Sequence, residues 1–245
     1  MRRKKRLPAV SALLVLVAAL ACGEALALSG EITHLSGAVV ARRTDGVTRI
    51  VSVKSEVREG DILVTADNAY ARIKWADGGE VVLRPASQLR IDAYNYDAGR
   101  PQTDSALFSL IKGGLRSVTG LLAKRNPGSF RLATPTATIG IRGTHFGALL
   151  CTEKRDCENI LTPSGGAPAE GVYVDVSDGV ITVFNQAGSL ELRVGEFGFV
   201  ASPSAPPIQL PPEQGIKVLL PTSALSPSIL GGTVGKGDSL ECLVR

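Results

Sequence analysis

The sequence predicts an all-β domain followed by an extended, proline-rich C-terminal arm, and three observations support this. Short β-branched runs recur between residues 28 and 201, separated by turns rich in glycine, asparagine and aspartate. No ten-residue stretch of this region has a convincing helical period. Beyond residue 201 the composition changes, because half of the chain's 14 prolines fall within 25 residues. We therefore divide the chain into residues 1–27, 28–201 and 202–245.

The first 27 residues have the three parts of a secretory signal peptide. A basic start, MRRKKR, precedes the apolar run of residues 13–20 and the triplet Ala25-Leu26-Ala27, after which we expect cleavage. The apolar run is too short for a comfortable membrane span, which needs about 20 residues. Export to the periplasm or the medium follows, and the alternative is a lipoprotein anchored through Cys22.

Cleavage removes five basic residues and one acid, so the formal net charge falls from +4 to 0. The basicity of the whole chain therefore says nothing about nucleic acid or anionic lipid.

Alternation along the predicted strands indicates one buried and one wet face. In residues 69–75, alanine, isoleucine and Trp75 alternate with tyrosine, arginine and lysine, which places Trp75 in the core. The next residues, Asp77-Gly78-Gly79, are typical of a hairpin turn rather than of calcium coordination. Similar hairpin patterns after Gly37 and Gly179 predict repeated β units that build a small twisted β-sandwich or a short solenoid.

Residues 106–124 allow two interpretations. Their leucines and isoleucine could form one stripe of an amphipathic helix. Gly113 and Gly114 oppose a continuous helix, each by about 1 kcal/mol relative to alanine. We predict a strand, a turn and a second strand.

Cys151 and Cys157 bracket a short polar insert, and an exported protein permits a disulfide between them. A hairpin tip brings two Cα atoms within the required distance of about 5.5 Å. A zinc site is disfavoured, because His145 is the only other nearby ligand and no second cysteine pair exists. Cys242 remains either a free thiol or an intermolecular link.

Residues 131–146, RLATPTATIGIRGTHF, combine a threonine-rich strand pattern with glycines. The threonines at positions 134, 136 and 138 fall on one face, and Ala137, Ile139 and Ile141 on the other, so a strand is expected after Pro135. Gly140 and Gly143 let the backbone turn. Arg142, between those glycines, is either a salt-bridged structural group or a surface contact.

Together with residues 60–65, 75–91 and 112–118, this stretch resembles the FecR-type domain of bacterial envelope proteins over about residues 30–200. The signature residues are Thr134, Pro135, Gly140, Arg142, Gly143 and Thr144. The resemblance implies a twisted β-sandwich with solenoid-like coils. It also implies cell-surface signalling, in which a periplasmic β-domain passes a receptor's signal through a membrane helix to a cytoplasmic segment. We expect no such helix in the mature chain, and hence no direct relay to a sigma factor.

The residues offer little for catalysis. His34 and His145 are the only histidines, and no Gly-x-Ser-x-Gly elbow is present. The acid pairs Asp175 with Asp178 and Glu59 with Asp61 lie beside turn glycines, where turn formation explains them. No glycine group has the spacing or the lysine of a phosphate-binding loop. We predict a protein with no enzymatic activity, no cofactor and no metal.

We therefore predict a protein-binding or sensing module of the bacterial cell envelope, whose partner is an unidentified envelope or outer-membrane protein. An exposed strand edge could accept a partner strand. The alternative is a structural or adhesion component that binds peptidoglycan, with Tyr94, Tyr96 and the proline-rich arm as contacts.

Overall fold

The computed structural model describes residues 29–153, residue 157 and residues 160–220. These residues form one continuous, open β-structure, so the all-β prediction is confirmed. The strands are β1 (Gly30–Ser36), β2 (Val39–Arg43), β3 (Thr48–Ile50), β4 (Glu56–Val57), β5 (Asp61–Thr65), β6 (Tyr70–Trp75), β7 (Glu80–Leu83), β8 (Gln88–Asn95), β9 (Ser105–Val118), β10 (Phe130–Ala133), β11 (Thr138–Cys151), β12 (Gly171–Asn185), β13 (Gly188–Arg193), β14 (Phe197–Val200) and β15 (Ile208–Leu210). A single short α-helix among the described residues, α1 (Leu121–Arg125), follows β9.

The hydrogen-bonded strands follow one main path with two branches. The path runs β15-β14-β12-β11-β10-β9-β7-β6-β1-β4, and β13 pairs with β12 beside it. The second branch leaves β9 through β8 and continues to β5, β2 and β3. The first half of β9 pairs with β8 and β10, whereas its second half pairs with β7 and β11. The long strands therefore pass from one part of the sheet to another and enclose a common core.

Aromatic rings form the centre of that core. The ring centroids of Trp75 and Phe108 lie 4.8 Å apart, and Phe108 continues to Phe130 at 5.6 Å. Phe130 meets the fully buried Phe146 edge-on at 6.3 Å. Trp75 is 5 % exposed, which confirms its predicted place in the core. Such offset and edge-to-face pairs contribute about 0.5–1.5 kcal/mol each beyond their burial.

The predicted strand, turn and strand at residues 106–124 is wrong in two respects. β9 runs unbroken through Gly113, which has a φ of +75°. Ser87 explains this continuity, because its hydroxyl accepts a hydrogen bond from the Gly114 amide (2.9 Å) and donates one to the Gly114 carbonyl (3.0 Å). The end of the segment is the helix α1, which the sequence pattern did not predict.

Asp77 explains why α1 forms. The predicted hairpin turn after β6 is confirmed, and within it the Asp77 carboxylate accepts a hydrogen bond from the Gly79 amide (3.0 Å). Its other oxygen accepts one from the Leu122 amide (3.2 Å), in the first turn of α1. A buried carboxylate 45 residues upstream thus satisfies an amide that a helix of this length leaves free.

β11 and β12 change the side that faces the core, and they do so together. In β11 the core residues are first Ile139 and Ile141, and after the change they are Phe146, Ala148 and Leu150. The change falls at Gly143, which has a φ of +55°. Gly179 of β12 (φ +75°) adopts the same left-handed conformation, and a Cβ there would clash with the Gly143 carbonyl. Both conformations favour glycine.

Part of the proline-rich arm lies on the β-structure. β15 adds to β14, and a turn follows at residues 211–214. Residues 215–220 then cross the outer side of the sheet as an extended segment, which we call the strap. Its side chains Ile216 and Val218 are buried. Residues 221–245, the predicted signal peptide with Cys22, and Cys242 lie outside the described residues. None of the helices in the described part of the chain has the length and apolar character needed to cross a bilayer.

Candidate functional site

The signature stretch begins with a turn between β10 and β11. The Thr134 hydroxyl accepts a hydrogen bond from the Ala137 amide (3.0 Å), and the Thr134 amide donates to the Ala137 carbonyl (2.8 Å). Pro135 lies within this turn and supplies a fixed φ. Thr134 and Pro135 therefore close a turn, and the strand begins three residues after Pro135, at Thr138.

The two predicted faces of the signature strand are confirmed. Ala137, Ile139 and Ile141 are at most 5 % exposed, whereas Arg142 points into solvent. Arg142 makes no ion pair with any residue in the described part of the chain. Arg142 is thus a surface group, and no salt bridge in that part of the chain gives it a structural role.

Arg142 belongs to a wider exposed surface, which we call the signature face. The strand register places Gly140 between Arg131 of β10 and Thr182 of β12, and it places Thr138 beside Phe184. A Cβ on Gly140 would meet no heavy atom closer than 3.8 Å, so the centre of this face is open. The signature face consists of Arg131, Thr138, Gly140, Arg142, Thr182 and Phe184. It combines two cations with one partly exposed aromatic ring.

Thr144 and His145 follow at the irregular part of β11. The Thr144 amide donates to the Thr119 hydroxyl (2.8 Å), and the Thr144 carbonyl accepts from the Thr119 amide (3.0 Å). His145 is 7 % exposed, and its Nε2 has no hydrogen-bond partner among the described residues. Burial first, and then the charge of Arg116, lower the pKa of His145 to about 4. The imidazole is therefore neutral at physiological pH.

The predicted disulfide between Cys151 and Cys157 is confirmed, with the two Cα atoms 5.7 Å apart. It belongs to a second apolar cluster on the outer side of the sheet. Leu149, Tyr173 and the strap residues Ile216 and Val218 complete that cluster. The disulfide thus fixes the end of β11 under the strap.

Tyr94 and Tyr96 do not form the exposed pair that the sequence predicted. Tyr94 is 7 % exposed, stacks on Trp75 with centroids 5.2 Å apart, and donates its hydroxyl to Asp77 (3.0 Å). Burial, and then the Asp77 charge, raise the pKa of Tyr94 above its ordinary value. Tyr96 is half-buried beneath the guanidinium of Arg125, 4.5 Å from its ring centroid. Neither ring offers an open platform for a sugar.

The acids that could have served catalysis are engaged elsewhere. Asp61 accepts hydrogen bonds from Arg49 (2.6 Å) and from the Arg58 amide (3.0 Å), beside a cleft of about 350 Å³. Arg58 in turn pairs with Glu56, so most of the charge in this cleft is neutralised internally. Within the described ranges, no three His, Cys, Asp or Glu side chains are grouped as metal ligands.

Asp175 lies on a row of residues that crosses the sheet on its outer side. The strand register aligns these residues on six neighbouring strands, from β14 to β6. The cross-strand row is Phe197, Asp175, Gly147, Arg116, Val82 and Arg72. Arg116 and Asp175, on either side of Gly147, form a buried ion pair whose side chains are 6 % and 3 % exposed.

A family model matches the central part of this chain. The family model described as FecR protein matches residues 61–181. This chain is a FecR-domain protein. The match includes the signature-face residues on β10 and β11, but it ends at residue 181, before Thr182 and Phe184 of β12. It also includes Gly147, Arg116 and Asp175 of the row.

Solved structures give more distant matches to the FecR-domain protein. Two crystal structures of a candidate anti-sigma factor from Parabacteroides distasonis match 62 % of this chain at 13 % and 15 % identity, with TM-scores of 0.44 and 0.45. The match spans 60 % of each of those chains, under two thirds of their length. A cell surface anchoring domain matches 25 % of this chain and 82 % of its own, at 26 % identity and a TM-score of 0.25. These likenesses are too distant to assign a function. A comparison with curated proteins gave no match.

Sequence reasoning did not find the cross-strand row of this FecR-domain protein. Arg116 and Asp175 are 59 residues apart, and each looks like an ordinary polar position on a strand. One signal was available, because Ile216, Val218 and Leu220 alternate with outward residues as they would on a surface-bound extended segment.

Proposed function

We propose that this FecR-domain protein is an exported, non-enzymatic module of the bacterial cell envelope that acts in sensing or signalling by binding another protein. The FecR match supports the signalling role. Export rests on the signal-peptide pattern of residues 1–27. The partner that fits this proposal is an envelope or outer-membrane protein.

The observation that carries the proposal is the outward direction of the signature residues. Core packing accounts for Ile139 and Ile141, but it does not account for Gly140 and the exposed Arg142 on the other side of the strand. Arginine and aromatic residues are enriched where proteins bind one another, and both occur on the signature face. An open glycine between them lets a partner approach the sheet backbone.

In-cell photocrosslinking tests this proposal. A benzoylphenylalanine at the exposed Thr182 should give one defined protein adduct, while the same probe at Lys74, an exposed residue of β6, should not. Arg142→Glu should reduce the Thr182 adduct by about fivefold or more, because reversing a contact charge opposes the partner's potential. Arg42→Glu, at an exposed arginine of β2, is the charge-matched control and should leave it unchanged. Equal adducts from Thr182 and Lys74, or no adduct at all, would contradict the proposal.

Two further measurements separate the alternatives. Retention on purified peptidoglycan without any protein adduct would favour a structural or adhesion component instead. Mass spectrometry of the mature protein should find Leu28 at the N-terminus, as cleavage after Ala27 requires. A diacylglyceryl group on Cys22 would make the protein a lipoprotein.

A further inference from the structure

The strap follows the cross-strand row along the outer side of the sheet. Gly215 lies against the Phe197 ring, and Val218 lies over Gly147, between Asp175 and Arg116. Leu220 then packs against Val82. Gly147 provides the space for Val218, because a Cβ at that position would lie 2.6 Å from the Val218 Cβ.

The row exists independently of the strap. Its six residues lie on strands that are hydrogen-bonded to one another. Arg116 pairs with Asp175 across the sheet, and its guanidinium also donates to the Ser177 hydroxyl (3.0 Å). The β-structure therefore holds a preformed row of side chains with an ion pair at its centre.

This ion pair binds the strap through main-chain atoms. Asp175 Oδ1 accepts a hydrogen bond from the Val218 amide (2.9 Å), and Arg116 Nε donates to the Val218 carbonyl (3.2 Å). Every non-proline residue carries the same donor and acceptor. The choice of sequence then depends on the inward side chains, which are Ile216, Val218 and Leu220.

The strap is not part of the hydrogen-bonded ladder of the sheet. From Ile216 to Leu220, no main-chain-to-main-chain hydrogen bond is present among the described residues. A turn at Pro211, whose carbonyl accepts from the Gln214 and Gly215 amides, precedes this segment. Leu219, between two inward residues, is 69 % exposed. Segments with few such bonds open at lower free energy than core strands.

We propose that the cross-strand row is a peptide-binding groove that the strap occupies in cis, and that an extended partner segment with aliphatic residues at alternate positions exchanges with it. The strap itself defines this ligand, since its own inward residues are isoleucine, valine and leucine. The central residue must fit over Gly147, and a carboxylate there would meet Asp175. This inference goes beyond the proposed function, because it requires neither the signature face nor the partner bound there.

A labelled copy of the strap tests the groove. The probe is a fluorescein-labelled peptide of residues 213–220, EQGIKVLL, titrated against residues 28–245 with the disulfide formed. Val218→Asp should release the strap, and the peptide should then bind at least about tenfold more tightly than to the parent protein, where the cis strap competes at a local concentration near the millimolar range. Lys217→Ala, at an exposed strap position, is the matched control and should behave as the parent.

A second substitution locates the bound peptide. Adding Gly147→Ala to the Val218→Asp variant should abolish binding, because the new methyl group occupies the central site. Adding Gly140→Ala, at an open position of the same strand, should not. Equal affinity of the parent and the strap variant, no binding up to about 1 mM, or binding that survives Gly147→Ala would overturn the inference.

A nicked protein keeps the test decisive if Val218→Asp does not fold. A protease site inserted at the exposed Glu213 and Gln214 allows the folded chain to be cut before the buried strap residues. The C-terminal fragment should remain bound after cleavage, and excess labelled peptide should displace it. If the fragment stays bound in the presence of an about hundredfold excess of peptide, exchange is refuted.

Discussion

Gly147→Ala is the sharpest test of how the strap is held. The added Cβ would overlap the Asp175 carboxylate and would lie 2.6 Å and 2.8 Å from two carbon atoms of Val218. Gly147 has no left-handed φ, so backbone strain does not enter. The carboxylate cannot move far without breaking its buried ion pair with Arg116, which costs about 3–5 kcal/mol. Displacing Val218 and its neighbours is the less costly response.

The size of the effect follows from what the strap loses. Burial of each aliphatic side chain stabilises by about 1.5–3 kcal/mol. Releasing the segment returns about 1–2 kcal/mol of backbone entropy per residue, which offsets most of that loss. We expect a net loss of about 2 kcal/mol, within the range of about 1–3 kcal/mol for overpacking a filled site.

Urea denaturation, followed by the fluorescence of Trp75, measures this loss. Gly140→Ala is the control on the same strand, and it should change the free energy of unfolding by less than about 0.5 kcal/mol or stabilise slightly. Hydrogen exchange at the Val218 amide should accelerate in Gly147→Ala alone. If the two variants unfold at the same urea concentration and Val218 stays protected, the steric reasoning is refuted.

Three further predictions concern other parts of the protein. The unfolded His145 takes up a proton near pH 6.5 and the folded one only near pH 4, so its contribution to stability is complete above pH 6.5. We expect up to about 3 kcal/mol of that contribution to be lost as the pH falls to 4, and denaturation of His145→Gln should show a flatter pH dependence. Asp77→Ala removes the buried acceptor for Gly79 and Leu122, and thermal unfolding should show a loss of about 2–4 kcal/mol, while Asp77→Asn should lose less. Reducing the Cys151–Cys157 bond should cost about 2 kcal/mol in the same assay, and an unchanged midpoint would contradict a stabilising role.

Local patterns predicted much of this fold. The alternation in β6, the turn at Asp77 and the Cys151–Cys157 bond depend on residues close together in sequence. The continuity of β9 could not be predicted, because Ser87 stabilises Gly114 from 27 residues away. Glycine propensity alone cannot distinguish a turn from an irregular strand.

In the candidate sites too, features that depend on neighbouring residues were predicted, and features that depend on residues distant in sequence were not. The signature strand was predicted with the correct faces, because its threonines and isoleucines alternate over a short stretch. The strap contact was not, since Arg116 and Val218 are 102 residues apart. Tyr94 was misplaced because its polar neighbours in sequence conceal its packing on Trp75, across the core.

The left-handed pair Gly143 and Gly179 has a consequence for every residue that follows it on β11. Odd-numbered residues fill the core before the pair, and even-numbered residues fill it afterwards. Without this change of parity, Phe146 would point to the outer side of the sheet, under the strap, and Gly147 into the core. The glycine of the signature thus determines which residues of the distal half of the strand can face a ligand, although none of the signature residues need touch it.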